Sequence, residues 1–242
     1  MTHDAVIWHD LECGAYGADL PRWRALARRH GAPVLDVGAG TGRVALALAR
    51  DGHAVIALER DPELAAELER RAAGLPVEVR RGDACAFALP RPLPLCIVPM
   101  QTLHLLDDRP AFLRCARAAL EPGGVLAAAL LGAGVEPFEL ELAADSVLLD
   151  GVRYESAPTA LRRLPATAGA ADGTVVIERR RSRWRDGGGP RSQLDRVRLR
   201  ECGPATLTRE AAEAGFAPLA VLTVAPTREH AGAEIVCLQA RR

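Results

Sequence analysis

The stretch "VLDVGAGTGRVALALA", Val34 to Ala49, decides how the rest of the chain is read. A short apolar run broken by Asp36 leads into Gly38, Gly40 and Gly42, and then into apolar residues at helical spacing. The pattern predicts a buried strand, a bend without side chains, and a helix. Such a bend lets backbone press against a ligand beside a helix start. A dinucleotide fingerprint requires G-x-G-x-x-G, whose third glycine allows close helix–strand packing, and Arg43 occupies that place. A phosphate-cradling P-loop fails as well, because its Lys and Ser/Thr are missing.

Outward from this stretch, short apolar runs alternate with helical ones. "DLPRWRALARRHG" predicts a helix closed by Gly31, and "GRVALALARDG" a helix stopped by Gly52. "AVIAL" reads as a second strand, and "PELAAELERRAAG" as a helix opened by Asp61 with Pro62 in its first position. "PVEVR" and "PLCIV" continue as strands three and four. "RPAFLRCARAALEPGG" is a helix ended by Pro and Gly, and "VLAAALL" a fifth strand. Strands separated by helices imply a parallel sheet covered on both faces. Beyond Leu131 the rhythm changes: "VRYESAPTALRR", "TVVIERRRSRW" and "QLDRVRLRE" alternate partially and are joined by turn-rich segments. Helical "TLTREAAEAG" follows, then "FAPLAVLTV" and "AEIVCLQA", two strands placed to rejoin the sheet at its edge. The expected organisation is one domain over 1–242. It comprises an N-terminal helical lid (1–31), a core (32–131), an antiparallel insert (132–203), and a last helix with edge strands (204–242).

Composition narrows the function classes. Charges balance at 31 against 31, so no global field points to nucleic acid or membrane. Every basic residue is Arg, with no Lys and no Asn in the chain. This excludes Schiff-base chemistry on a lysine and any glycosylation acceptor Asn. Six scattered cysteines lack both a CxxC pair and zinc-like spacing, so reduced thiols and no metal site are expected. The acidic N-terminus "MTHDAVIWHDLE" does not resemble a signal peptide, and the longest apolar run is too short to span a bilayer. A cytoplasmic location is the expectation.

Three acids sit where the strands are expected to end. Asp36 lies at the end of the first, Glu59 at the end of the second, and Asp83, in "RGDA", at the end of the third. Open α/β sheets bind ligands at these carboxyl ends, and an acid after the second strand can take both hydroxyls of a ribose. "VLDVGAGTG", "ALERD" and "RGDA", with "PLCIVPMQTLHLL" and "ALEPGGVLAAALL", resemble successive motifs of the class I S-adenosylmethionine-dependent methyltransferases, in their small-molecule branch. The resemblance covers Tyr16 to Leu131 well and the tail more loosely. It implies a Rossmann-like, doubly wound, mostly parallel seven-stranded sheet with an antiparallel strand insert late in the chain, and S-adenosyl-L-methionine as cofactor. It further implies that Gly38 and Gly40 pass under the methionine part, with Asp36 and Ala39 also among the cofactor-binding residues. Glu59, followed by Arg60, would hold the ribose, Asp83 with Ala84 would address the adenine, and Met100 would line the loop after strand four. In similar enzymes a segment before the first strand folds over the cofactor, which points to Tyr16, with Trp23 as a second aromatic that could equally pin the first helix. The cofactor carries no phosphate, so neither a Lys nor a third packing glycine is needed.

Two departures bear on chemistry. Pro94 stands near the start of strand four, where many relatives carry an acid. After that strand the chain has "VPMQ" where base-flipping methyltransferases carry Asn/Asp-Pro-Pro-aromatic, which disfavours methylation of nucleic-acid bases. The expected reaction is methyl transfer to an N or O atom of a small molecule, helped mainly by alignment and exclusion of water. His104, in the loop or helix start after strand four, is the candidate base, or else simply lines that loop. Two alternatives stay open: a non-catalytic relative that keeps the fold as a binding module, and an RNA methyltransferase. The second draws on nine Arg against three acids between Glu178 and Arg200, with Trp184 among them. A solvated sheet face explains the same arginines. So does an oligomer contact in which the insert pairs with acidic residues elsewhere.

Overall fold

The structure, a computed structural model, describes residues 4–132, 135–140, 142–166, 172–185, 187–227 and 232–242. His3 and His230 lie outside them. In chain order the elements begin with α1 (Asp4–His9), a π-helical turn (Asp10–Gly14), α2 (Leu20–His30), β1 (Val34–Val37), α3 (Arg43–Arg50), β2 (Val55–Glu59) and α4 (Pro62–Arg71). They continue with β3 (Val77–Arg81), β4 (Leu93–Val98), α5 (Thr102–Leu105), α6 (Arg109–Ala119) and β5 (Leu120–Leu131). The remainder is β6 (Asp145–Leu149), β7 (Val152–Leu164), β8 (Thr174–Arg185), β9 (Arg191–Arg200), α7 (Pro204–Glu213), β10 (Phe216–Val224) and β11 (Ala233–Ala240). Two compact units emerge: Tyr16–Gly134 with Cys202–Arg242, and Met1–Ala15 with Val135–Glu201. The expected 1–31 segment is shared between them, α1 lying in the smaller unit and α2 in the larger.

The larger unit is built on a seven-stranded sheet in the order β10-β11-β5-β4-β1-β2-β3. Strands β1 to β5 run parallel, and β11 runs antiparallel to both of its neighbours. The strand order reverses at β1, between β2 and β4, and crevices of open α/β sheets form at such a switch point. Burial on both faces explains the near-continuous apolar strands. Leu35, Val37, Cys96 and Leu126 pack with Phe112 and Leu113 of α6 and Leu207 of α7. Val34, Ala57, Leu95 and Ile97 pack with Trp23 and Leu26 of α2, Leu48 of α3 and Leu68 of α4. Helix starts follow capping chemistry: Asp61 accepts from the amides of Glu63 and Leu64, and Asp108 from that of Ala111. Helix α6 stops at Ala119, before Pro122, because β5 begins earlier than its apolar core suggests. Pro94 sits where the pairing of β4 with β5 shifts register, a position that tolerates a missing N–H.

The smaller unit is a four-stranded antiparallel sheet in the order β6-β7-β8-β9. Strand β6 escapes the sequence pattern because most of its residues are exposed and do not alternate. Helix α1 lays Trp8 edge-on against Tyr154, with centroids 5.3 Å apart. Several arginines of these strands are neutralised from within this unit. Arg181 lies over the Trp8 ring and forks onto Glu12 at 2.7 Å, with Asp195 at 3.0 Å. Arg183 pairs with Asp4, and Arg196 and Arg162 share Glu178. The twelve arginines of the unit are outnumbered by fourteen Asp and Glu, so it carries no net positive charge.

Gly42 illustrates how tightly the larger unit closes on its glycine bend. It has φ +99°, and a Cβ there would stand 2.3 Å from Leu68 Cδ1 and 2.8 Å from Leu46 Cγ. Gly42→Ala should therefore lower unfolding free energy by roughly 1–3 kcal/mol through left-handed strain and crowding, measured by urea denaturation against wild type.

Candidate active site

The carboxyl ends of β1, β2, β3 and β4 carry the expected residues to one rim of the sheet. After β1 the chain turns through Gly38 at φ +69° and Gly40 at φ +56°, conformations that favour glycine. The amides of Gly38 and Ala39 donate to the Leu58 carbonyl at 2.8 and 3.1 Å. Glu59, 7 % exposed at the end of β2, accepts from the Gly40 amide on Oε2 at 2.8 Å. Its Oε1 accepts from the amides of Arg60 and Asp61, each at 2.8 Å. A carboxylate offers about four lone-pair sites, so three backbone bonds leave room for a ribose hydroxyl. The bend supplies proximity rather than a nest of free N–H groups, which suits a ligand without phosphate. A side chain at Gly38 would enter Thr102, with Cβ 2.4 Å from its Cγ2, so the segment after β4 closes on the bend.

Asp36 is 1 % exposed, and among the described residues neither carboxylate oxygen has a hydrogen-bond partner. Burial pushes its carboxyl up to about 7, against the pull of Arg43 and the Ala45 amide, with Glu59 and Asp19 adding to the rise. A buried acid left in this state is what a cationic amino group would satisfy. The residues present therefore fit S-adenosylmethionine: an orphaned carboxylate for the ammonium of its methionine end, a side-chain-free bend, and an anchored carboxylate with spare acceptor capacity.

The other expected residues divide. Tyr16 is buried next to the start of α3, where Arg43 Nη1 donates to its carbonyl at 2.7 Å and the guanidinium lies 5.0 Å from its ring centroid. Trp23 is fully buried among core residues and donates to Asp19 Oδ2 at 2.8 Å, so it pins α2. Arg60 is exposed and contributes its amide to Glu59. Asp83 is exposed and accepts from the Cys85 amide within its own turn at 2.8 Å, while Ala84 is buried against the core. Met100, half-buried after β4, takes φ +54°, a strained conformation for a side chain of its size. His104, 3 % exposed in α5, accepts from the Leu131 amide on Nε2 at 2.9 Å. A neutral imidazole accepting there carries its proton on Nδ1, so taking a substrate proton requires giving up that bond. Sequence reading missed Asp19, Arg43 and Thr102 as parts of this rim. The one signal was Arg43 in the place of a packing glycine.

Two substitutions read out these contacts. Glu59→Ala should weaken binding of S-adenosylhomocysteine by about 1–3 kcal/mol, through lost acceptors for both the bend and the ligand, as measured by calorimetry. Asp36 is protonated when folded at pH values where the unfolded chain has already released its proton. Its contribution to stability therefore falls as pH rises from the ordinary carboxylate range to about 7. Asp36→Asn removes that titration. Its melting temperature should fall less than that of wild type between about pH 5 and about pH 8; parallel curves would place the titration elsewhere.

Comparison with known proteins bears on the family and the fold. Residues 34–124 match a family described as a methyltransferase domain. The chain is 31% identical over 187 residues to a ubiquinone biosynthesis O-methyltransferase of Methylocella silvestris, covering 69% of this chain and 70% of that protein. It is 38% identical over 90 residues to a probable dimethyladenosine transferase of Dictyostelium discoideum, covering 33% of this chain. It spans only 28% of the length of that relative, and 53% of a second ubiquinone biosynthesis O-methyltransferase, from Methylobacterium nodulans. The fold is shared with the sugar N-methyltransferase KedS8 from Streptoalloteichus sp ATCC 53650, at a TM-score of 0.76 and 19% identity over 100% of this chain and 94% of that one. With its strand order, its glycine bend and these relatives, the chain belongs to the class I S-adenosylmethionine-dependent methyltransferases.

Proposed function

We propose that the protein transfers a methyl group from S-adenosylmethionine to an N or O atom of a small molecule, with a sugar-like amine as the first acceptor class to test. The observation that carries this is Asp36, a buried carboxylate without a partner beside a glycine bend whose far side is anchored by Glu59. When bound, the cofactor supplies an electrophilic methyl group on a sulfonium. Glu59 holds the bend in register with the end of β2 and offers its remaining acceptor site to a ribose. Asp36 receives the ammonium of the methionine end. Asp83 and the Ala84 amide lie after β3 and would read the adenine edge. Met100 and Thr102 put the segment after β4 against the bend, and His104 ties that segment to Leu131 at the end of β5. With the base position of His104 engaged, the chain acts chiefly by alignment and by excluding water, so an acceptor that is already nucleophilic, such as a neutral amine, suits it.

Likeness to an enzyme named for sugar N-methylation supports the amine, and likeness to one named for ubiquinone biosynthesis supports an oxygen acceptor. The likeness to dimethyladenosine transferases favours RNA, yet Arg181, Arg183 and Arg196 are spent on carboxylates of their own unit. Incubation with methyl-labelled S-adenosylmethionine and parallel panels of amino sugars, hydroxylated aromatics and tRNA tests the reading. Label should enter a small amine or hydroxyl acceptor. Label in tRNA alone, or tRNA binding with a steep salt dependence, would overturn it in favour of an RNA enzyme. No uptake of S-adenosylhomocysteine by calorimetry would overturn it in favour of a non-catalytic relative.

A further inference from the structure

We propose that Arg43 is a positioning residue that latches Tyr16 and Asp19 to the start of α3, beside the glycine bend, and so governs how long an S-adenosyl ligand stays bound; this rests on the cofactor reading above. Arg43 stands where a dinucleotide fingerprint would place its packing glycine. In this chain Gly42 takes over the close approach, with Leu68 and Leu46 against its backbone, and the next residue is released to carry a long side chain. That side chain folds back onto the segment preceding α2. Nη1 donates to the Tyr16 carbonyl at 2.7 Å and to Asp19 Oδ1 at 2.6 Å, while Nη2 donates to Asp19 Oδ2 at 2.9 Å. The same guanidinium lies 5.0 Å from the Tyr16 ring centroid. One group thus holds the backbone and the ring of Tyr16 together.

Asp19 is committed to this arrangement. It stands at the N-cap of α2 but makes no side-chain capping bond there. Its carboxylate, 1 % exposed, is shared between the Arg43 fork and the Trp23 indole, which donates to Oδ2 at 2.8 Å. A buried ion pair is a poor source of bulk stability, since well-packed apolar residues do as well. Its value is specificity: a rigid fork with a ring above it admits one geometry, which Lys could not reproduce. Swinging Tyr16 away from the start of α3 requires breaking the whole set at once. Glu59 fixes the bend from the β2 side; Arg43, the first residue of α3 after the bend, ties Tyr16 and Asp19 to it.

Stopped-flow displacement of S-adenosylhomocysteine, with melting temperature followed in parallel, tests the latch. Arg43→Gln should release the ligand roughly tenfold faster or more, the scale of one lost charge-assisted hydrogen bond, and Arg43→Lys should recover only part of that. Tyr16→Leu should speed release in the wild-type background yet add little in Arg43→Gln, because both act through one contact. If Arg43→Gln does not fold, Asp19→Asn serves, as it keeps an acceptor for Trp23 while removing the charge. Folded variants that release at the wild-type rate, or effects of Tyr16→Leu and Arg43→Gln that simply multiply, overturn the latch. Failure of the wild-type protein to bind S-adenosylhomocysteine overturns the cofactor reading beneath it, a separate and recognisable result.

Discussion

The carboxylate of Glu59 accepts three backbone N–H groups, one from the bend after β1 and two from the turn after β2. Two loops that would otherwise wander independently are thereby fixed to one another at the rim of the sheet. The constraint works because β1 and β2 are parallel neighbours whose ends lie side by side, Val37 opposite Leu58. Parallel pairing sets the depth of each loop, and one buried acid converts that depth into a defined crevice wall. Loops positioned by a rigid scaffold are where binding residues concentrate. Here the scaffold is apolar on both faces, and the polar decisions are made within a few residues of its edge.

Within that rim, the acids have different fates. Glu59 is satisfied by backbone and Asp19 by a guanidinium and an indole, whereas Asp36 accepts no hydrogen bond among the described residues and feels only the weaker pull of Arg43 and the Ala45 amide. Low dielectric sharpens the contrast, for burial without a hydrogen-bond partner shifts the proton equilibrium of Asp36 upward. Since Arg43 is occupied by Asp19, it cannot neutralise Asp36, although its field reaches that carboxyl. The division leaves Asp36 as the acid of this rim that no described hydrogen-bond donor meets.

The smaller unit solves a different electrostatic problem. Nine arginines crowded into β8, β9 and their connection look, along the sequence, like a surface for a polyanion. Folded, the N-terminal acids Asp4 and Glu12 come onto the same sheet, and Arg181 and Arg183 meet them. Cross-strand spacing does the rest, bringing Arg196 beside Glu178 and Arg181 beside Asp195. Linear charge density is a poor guide when the neutralising residues lie well over a hundred positions away.

Sequence alone determined the strand–helix alternation from Pro33 to Leu131, the glycine bend, the cap at Asp61 and the acids at successive strand ends. Apolar periodicity and capping are local, and they state themselves within a turn or a strand. The return of β10 and β11 to the sheet edge was legible too, as apolar runs long enough to pair. Only the tertiary structure decided that Arg43 would reach Asp19 and Tyr16, that His104 would turn to Leu131, and that α1 would dock with the antiparallel strands. Those outcomes depend on which distant side chain arrives within hydrogen-bond reach once the sheet has closed. No periodicity encodes that distance; packing supplies it.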